Sequence, residues 1–461
     1  MANKNLLTYG AKVSSVELVT YTPVVVRAPF YDTPSATLYS FLAKVIPWDD
    51  DNNPPQPTQD QKSIKKTFKN IFAVKKITSN DISPVIARVD WTSGVVYNYY
   101  TDDVDIFEKD DNGNNIYNFY VKNRYDQVFK CLWNANGLPS TVEPFFEPGS
   151  YTPNNVYFGA DGYKWKYVYT IDVGLKVRFM DQTWMPVPIG ILTPNPLQQN
   201  PTTGLYAGSG SIDVINVTNP GHGYDPTNSA ITITITGDGS NAAATPIIYG
   251  GSIVDILITN PGRDYTYANV AITSTLGTGA TAFAPASPIG GHAFDPVSEL
   301  GCAHVMLTTE FNGSEGDYIP TDIDYHQVGL IINPTTLNST PFPANNVLYK
   351  TTTDFVVAPG FGAFTNDEYI YQGSSLDTAT FVGTVLSFDA ATNVVRILNT
   401  TGTPTTNGPV FGYSSQTTRT LLSVSYPNFS IFSGYVVFIE NRTGVQRSPD
   451  GIEQFKFVLG Y

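Results

Sequence analysis

The residues able to do chemistry in this chain are few and badly spaced for it. Four histidines, His222, His292, His304 and His326, fall in no HExxH pattern or other metal-ligand spacing, and neither Cys131 nor Cys302 belongs to a CxxC pair. No Walker sequence and no G-x-S-x-G elbow occurs. Glu108, Asp110 and Asn112 before Gly113 imitate the opening of a calcium loop. Its twelfth position would be Phe119, where a bidentate glutamate is needed, so the match fails. Gly-x-Gly pairs at Gly237 and Gly277 lack the third glycine and the following helix of a phosphate loop. Loop carboxylates such as Asp49, Asp50 and Asp51 read as solubilising charge. No catalytic residue, metal ligand or cofactor site is therefore expected, and an enzyme is not expected. What remains is recognition chemistry near the end of the chain, at Glu440, Arg442 and Arg447. Arginine offers a planar fork of donors suited to carboxylates and carbonyls and is enriched at protein interfaces. Either these residues lie on a rigid loop that contacts another protein, or Arg442 folds back on Glu440 or Asp450 and only closes a turn.

The elements that position these residues are read from composition and periodicity. Over 461 residues only 14% are charged, while 38 glycines, 33 prolines, 29 tyrosines and 26 phenylalanines make a turn-rich, strand-rich chain. A net charge of −14 argues against nucleic acid or an anionic membrane as the main partner. Two cysteines in apolar surroundings suit buried thiols in a reducing cytoplasm better than a bridge. MANKNLLTYGAK lacks the apolar run of a signal peptide and no segment approaches a membrane span, so a soluble protein is expected.

In chain order, Val24–Val26 and Tyr39–Ile46 read as strands, and QKSIKKTFKNIFAVKKI reads as a short amphipathic helix begun near Asp60. Its lysines, Lys62, Lys65, Lys66 and Lys69, form an exposed face. A strand, a turn at Thr92–Gly94 and an aromatic strand follow between Pro84 and Tyr100, and Asn112-Gly113 reads as a hairpin turn. Val128–Pro144 and Asp161–Ile171 add strands, the latter with alternating aromatics. One internal repeat stands out. SIDVINVTNPGHGY (from Ser211) and SIVDILITNPGRDY (from Ser252) match at eight of fourteen positions, offset by 41. Each copy reads as strand, Asn-Pro-Gly turn, strand, too small to bury a face alone, so the two should pack on each other. Strands and Gly/Asn turns from Phe364 to Leu421 suggest a small, nearly closed barrel. At the end, Tyr435–Ile439 reads as a strand buried on both faces, broken by Glu440-Asn-Arg442. Ser448–Gly451 is a turn, and Phe455, Phe457 and Leu459 face a core.

Six segments, in order, carry a resemblance: PWDDDNNPP (Pro47–Pro55), VIARVDW (Val85–Trp91), FKCLWNANGLPSTVEP (Phe129–Pro144), DGYKWKY (Asp161–Tyr167), HQVGLIINP (His326–Pro334) and SGYVVFIENR (Ser433–Arg442). Together they resemble the baseplate wedge subunit called gene product eight in T-even-type contractile-tailed phages. The closing QRSPDGIEQFKFVLGY resembles the versions in phages of cyanobacteria. The resemblance covers most of 1–200, 288–345 and 425–461. It implies a mainly β protein, a β-sandwich core with a few short helices; the chain departs from that pattern by being longer, with the repeat and the barrel reading as two inserted small β-modules. The expected divisions are 1–204, 288–362 and 422–461 for the core, with 205–287 (the repeat) and 363–421 (the barrel) inserted. It further implies a non-enzymatic structural part of the virion's tail baseplate, assembled in the host cytoplasm. The implied partners are other wedge subunits, a second copy within each wedge and a trimeric peripheral baseplate protein, with no nucleic acid and no membrane. The rival reading is a tail protein that binds or cleaves host polysaccharide.

Overall fold

The computed structural model describes residue 16 and residues 37–110, 115–147, 155–189, 210–225, 227, 231–316, 318–337 and 346–460. These residues are mainly β with three short α-helices. The strand expected at Val24–Val26 and the turn expected at Asn112-Gly113 lie outside them. Two compact units form. The first takes 83–306 with 458–460, and the second takes 37–82 with 307–457. Both are therefore built from separated stretches of chain, with the described residues of the repeat in the first and the barrel in the second.

In the first unit, strands Tyr120–Lys122, Gln127–Asn134, Tyr163–Thr170 and Val156–Phe158 make an antiparallel sheet in that spatial order. Alternation fixes its faces. Phe129, Cys131, Tyr163, Trp165 and Tyr167 turn to one side and pack with Tyr97 and Phe146. Tyr163 and Trp165 stack with ring centroids 5.5 Å apart. The aromatic strand expected before Tyr100 is instead extended chain without a ladder, laid with Tyr97 and Tyr99 against this face. Cys131 and Cys302 are free, buried thiols.

The repeat belongs to the same unit, and its two copies exchange strands. Thr232–Gly237 pairs with Ala268–Thr273, its own counterpart, so Ile233 meets Ile272 and Ile235 meets Val270. Thr278–Phe283 returns to pair with Asn216–His222, and Ser240–Tyr249 pairs with Ser252–Arg263. The Asn-Pro-Gly triplets are not turns between strands, as the sequence led one to expect. Each lies inside a strand, opposite a shift in register. Gly221 and Gly262 sit at φ +60° and +62°, and their N–H groups donate to Asn219 and Asn260 Oδ1 at 3.0 and 3.1 Å. The extra residue in each shift is the threonine just before the triplet, Thr218 or Thr259, and such a bulge bends the strand without ending it, while the left-handed glycines stay in register beyond it.

In the second unit, Leu348–Tyr349, Ile71–Ile77, Leu38–Ala43, Asp324–Ile332 and Tyr435–Gln446 form a five-stranded sheet in that order. Tyr39, Phe41, Val74, Ile331, Tyr349 and Phe429 build its core. The helix runs Gln61–Asn70, and Asp60 Oδ1 accepts the N–H groups of Lys62 and Ser63 at 3.0 Å each. It stops before Ile71 and Phe72, which the helical spacing had included. Ile71–Ile77 pairs with Leu38–Ala43, so its β-branched residues serve the sheet. Thr353–Val357, Tyr369–Gln372, Phe381–Asp389, Val394–Gly402, Pro409–Gly412 and Thr418–Ser425 close into a six-stranded barrel around Phe355, Phe381, Val385, Ile397, Val410 and Leu421. The barrel thus extends beyond 363–421 at both ends.

Candidate functional site

Glu440 and Arg442 lie within a strand, and Arg447 follows directly after its end. Tyr435–Gln446 runs unbroken for 12 residues, and the expected interruption at Glu440-Asn-Arg442 does not occur. Nor is the strand buried on both faces: it is the outer strand of its sheet, and of its apolar start only Val436 is buried. The charged residues are tolerated because an outer strand leaves one face and one edge to solvent. Its ladder with Asp324–Ile332 pairs Gln327 with Asn441 and then Tyr325 with Val445, so extra residues bulge opposite His326.

That bulge is held by the loop Pro47–Pro55. The Gly444 N–H donates to Asp51 Oδ2 at 3.0 Å, and this bond draws the Asp51 carboxyl below its usual range. His326 Nε2 lies 3.1 Å from Asp51 Oδ1, and its Nδ1 lies 2.9 Å from the Lys44 carbonyl. Trp48 Nε1–H donates to the Arg442 carbonyl at 3.0 Å, and Asn441 Nδ2 donates to the Pro55 carbonyl at 2.7 Å. Gly444 cannot be replaced without movement, because a Cβ there would come 2.7 Å from His326 Nε2.

The two arginines separate in role. Arg442 Nη2 pairs with Glu440 Oε1 at 2.9 Å, both half exposed, and its guanidinium lies over the Phe455 ring. This is the fold-back arrangement, and it keeps the pair at the surface. Arg447 is fully buried. Its Nε donates to Glu453 Oε2 at 3.0 Å, and its Nη1 donates to the carbonyls of Ile319 and Pro320 at 3.3 and 3.0 Å. A contact with another protein is not open to it.

The first unit holds a cluster that sequence reasoning missed. On the face of its sheet opposite the aromatics, Lys130 stands beside Lys166 in register, with Lys164 two residues away. All three are buried, and each meets a carboxylate: Lys130–Glu299 at 3.0 Å, Lys164–Asp255 at 2.7 Å and Lys166–Asp213 at 2.8 Å. Asp213 and Asp255 come from the two copies of the repeat, so the ion pairs fix the repeat on the sheet. Asp213 also accepts from Ser211 Oγ at 2.9 Å. His292 Nδ1 lies 2.6 Å from Glu299 Oε1, and the Ala293 N–H donates to Glu299 Oε2. Burial and the nearby Lys130 ammonium hold the imidazole of His292 below its usual value, hence neutral, so its Nδ1–H is the donor.

Glu299 is itself depressed, to about 2. Lys130 and the two N–H donors outweigh the cost of burying its charge. A depressed carboxyl contributes stability that is whole above its ordinary 4.5 and lost as pH falls toward about 2. Glu299→Gln is expected to be less stable at neutral pH and to show a smaller further loss between pH 4.5 and 2. Unfolding midpoints measured across that range check it, and identical acid slopes for both proteins would count against the ion pair.

A cavity of about 830 Å3 opens over this cluster, lined by Tyr100, Phe107, Ile289 and Phe294 with Lys130 and Glu299. Its other acids hold backbone. Asp102 accepts the Ala286 N–H, Asp105 that of Phe107, and Asp295 those of Val297 and Ser298. Lys130 lies 3.8 Å above the Tyr100 ring. The arrangement gives rigidity and charge balance, with every one of these ionisable groups already engaged. Among the described residues, no group of three or more His, Cys, Asp or Glu side chains could hold a metal ion, and no helix is long and apolar enough to cross a membrane.

The signal for the lysine face was present in the sequence, where Lys164 and Lys166 alternate with Tyr163, Trp165 and Tyr167. A two-faced strand reads as core against solvent, and only the distant acids reveal that the lysine face is covered. No protein-family model matches the chain, and no curated protein matches it.

Proposed function

We propose that this chain is a structural subunit of the baseplate wedge in the tail of a contractile-tailed phage, working through protein contacts and without catalysis. The observation that carries the reading is where the six resembling segments go. Three of them, Pro47–Pro55, His326–Pro334 and Ser433–Arg442, are tied together by the Asp51, His326 and Trp48 bonds around one outer strand. The other three meet through Trp91, Ser140 and Asp161. Trp91 Nε1–H donates to Ser140 Oγ at 3.0 Å, and Asp161 Oδ2 accepts from Ser140 Oγ and from the N–H groups of Thr141 and Val142. The polar residues of the segments are thus engaged in holding backbone and one another, which is what a rigid assembly part requires.

The proposed partners are the other wedge subunits, a second copy of this chain and a trimeric peripheral baseplate protein, reached in the virion after assembly in the host cytoplasm. The outer strand Tyr435–Gln446 offers them the edge of its sheet and the half-exposed Glu440–Arg442 pair. Glu440→Ala with Arg442→Ala should change stability by under about 1 kcal/mol, as expected of a half-exposed pair, and should weaken wedge formation. Mixing the purified chain with the other wedge proteins and following sedimentation tests both claims. Failure of the unaltered chain to enter any complex would overturn the assignment. Normal assembly of the double variant would move the contact elsewhere.

A further inference from the structure

The barrel carries an outward aromatic surface that lies outside its core. In Tyr369–Gln372 the side chains of Ile370 and Gln372 point inward and are buried, which turns Tyr369 and Tyr371 outward. In Pro409–Gly412 Val410 is inside, which turns Phe411 outward, and Tyr413 continues the same alternation. Register brings the four together. Tyr371 pairs with Phe411, with ring centroids 5.5 Å apart and planes 31° apart. The Tyr413 N–H donates to the Tyr369 carbonyl at 2.8 Å, which sets the second pair opposite. Tyr369 and Tyr413 are 51% and 53% exposed. The flanking strands place small neutral residues beside each row: half-buried Val382 beside Tyr371, buried Thr384 beside Tyr369, and exposed Thr418 beside Phe411. No charged side chain occupies any of these seven positions.

We propose that this surface binds a neutral polysaccharide, its pyranose rings lying on the tyrosines and phenylalanine. The negative face of an aromatic ring attracts the weakly positive C–H edge of a sugar. Three phenols and the Thr418 hydroxyl supply donors and acceptors for ring hydroxyls around that stack. Nucleic acid stacks on aromatic platforms too, but such platforms are set in basic grooves, and this one has no cation in a chain of net charge −14. Size argues against a stable protein partner. Four aromatic side chains of about 150–250 Å2 each, half covered, present on the order of 300–400 Å2, below the roughly 800 Å2 per partner of a standard interface.

The platform is held rigid before any ligand arrives. A closed barrel has no free edge to slide. The turn after Tyr413 is clamped by the buried Glu368 carboxylate, which accepts from the N–H groups of Ser414 and Ser415 at 2.9 and 2.8 Å and from Ser415 Oγ at 2.7 Å. Little ordering remains to oppose binding.

Affinity electrophoresis of the full chain through gels containing dextran, amylose, a β-1,3-glucan or a galactomannan tests the proposal, with alginate as the charged comparison. At least one neutral polymer should retard the chain. Tyr369→Ala and Tyr413→Ala should each weaken that retardation about tenfold, the factor carried by roughly 1.4 kcal/mol, with unchanged melting temperatures. Tyr435→Ala, which alters an exposed tyrosine on a different sheet, should change nothing. On the unaltered chain, the retarding polymer should protect Tyr413 from nitration by tetranitromethane. The proposal is overturned if no neutral polymer retards the chain, if only alginate does, or if Tyr413 nitrates equally with and without polymer. It is also overturned if sedimentation shows that these tyrosines serve self-association instead. None of these outcomes depends on entry into a wedge.

Discussion

Asp213→Ala should destabilise the first unit by about 3–5 kcal/mol, a large part of the margin of a typical domain. Lys166 and Asp213 are each only 1% exposed in their side chains, at 2.8 Å from one another. Taking both from water is expensive, and their attraction offsets that cost only while both are present. Removing the acid strands an ammonium between the sheet and the repeat, beside the already positive Lys130 and Lys164. The same logic predicts a rescue. Lys166→Met with Asp213→Leu removes both charges and fills the space, and a buried pair replaced in this way is typically neutral or better. Urea unfolding followed by tryptophan fluorescence suits the test, since Trp91, Trp133, Trp165 and Trp184 belong to this unit and only Trp48 to the other. A single variant costing under about 1 kcal/mol would mean that water reaches the pair. A double variant as weak as the single would mean that the site cannot repack.

Arg447→Ala should be the most damaging change in the last thirty residues, at about 3 kcal/mol or more. Its guanidinium satisfies Glu453 and two backbone carbonyls at once, from a fully buried position. Alanine leaves a carboxylate with little solvent and two carbonyls without their donor. Arg442→Ala, within the strand that ends just before Arg447, should cost less than about 1 kcal/mol, because its pair with Glu440 is half exposed and screened. Calorimetry of the two single variants separates them, and equal losses would contradict the division of roles between the arginines.

Local pattern carried much of the fold. The Asp60 cap, the alternation at Tyr163–Thr170, the repeat and the barrel's short strands were each legible within a dozen residues, because the physics that sets them is local. The errors share one cause. Glu440 and Arg442 in an otherwise apolar run read as the end of a strand, although an outer strand accepts charge on its solvent side. Asn-Pro-Gly read as a turn, although pairing with Thr278–Phe283 and Ser240–Tyr249 keeps it inside a strand, directly after a bulge. The candidate site was the least legible part. Lys130 finds Glu299 at a separation of 169 residues, and no window along the chain relates the two. Arg447 looked like a surface contact for the same reason, its carbonyl partners lying 127 and 128 residues earlier.

The exchange of strands within the repeat has a consequence for the order of synthesis. Ile233 and Ile235 are covered by Ile272 and Val270, which leave the ribosome more than thirty residues later. At about 5–20 residues per second, the first copy waits seconds with a β-prone apolar row on display. Thr232, Thr234 and Thr236 alternate with those isoleucines and keep the other face polar, and Gly237 follows directly, so the exposed segment is short and one-sided. Sequences of this kind invite pairing between nascent chains. In this one the correct partner is tethered to the same chain and arrives first.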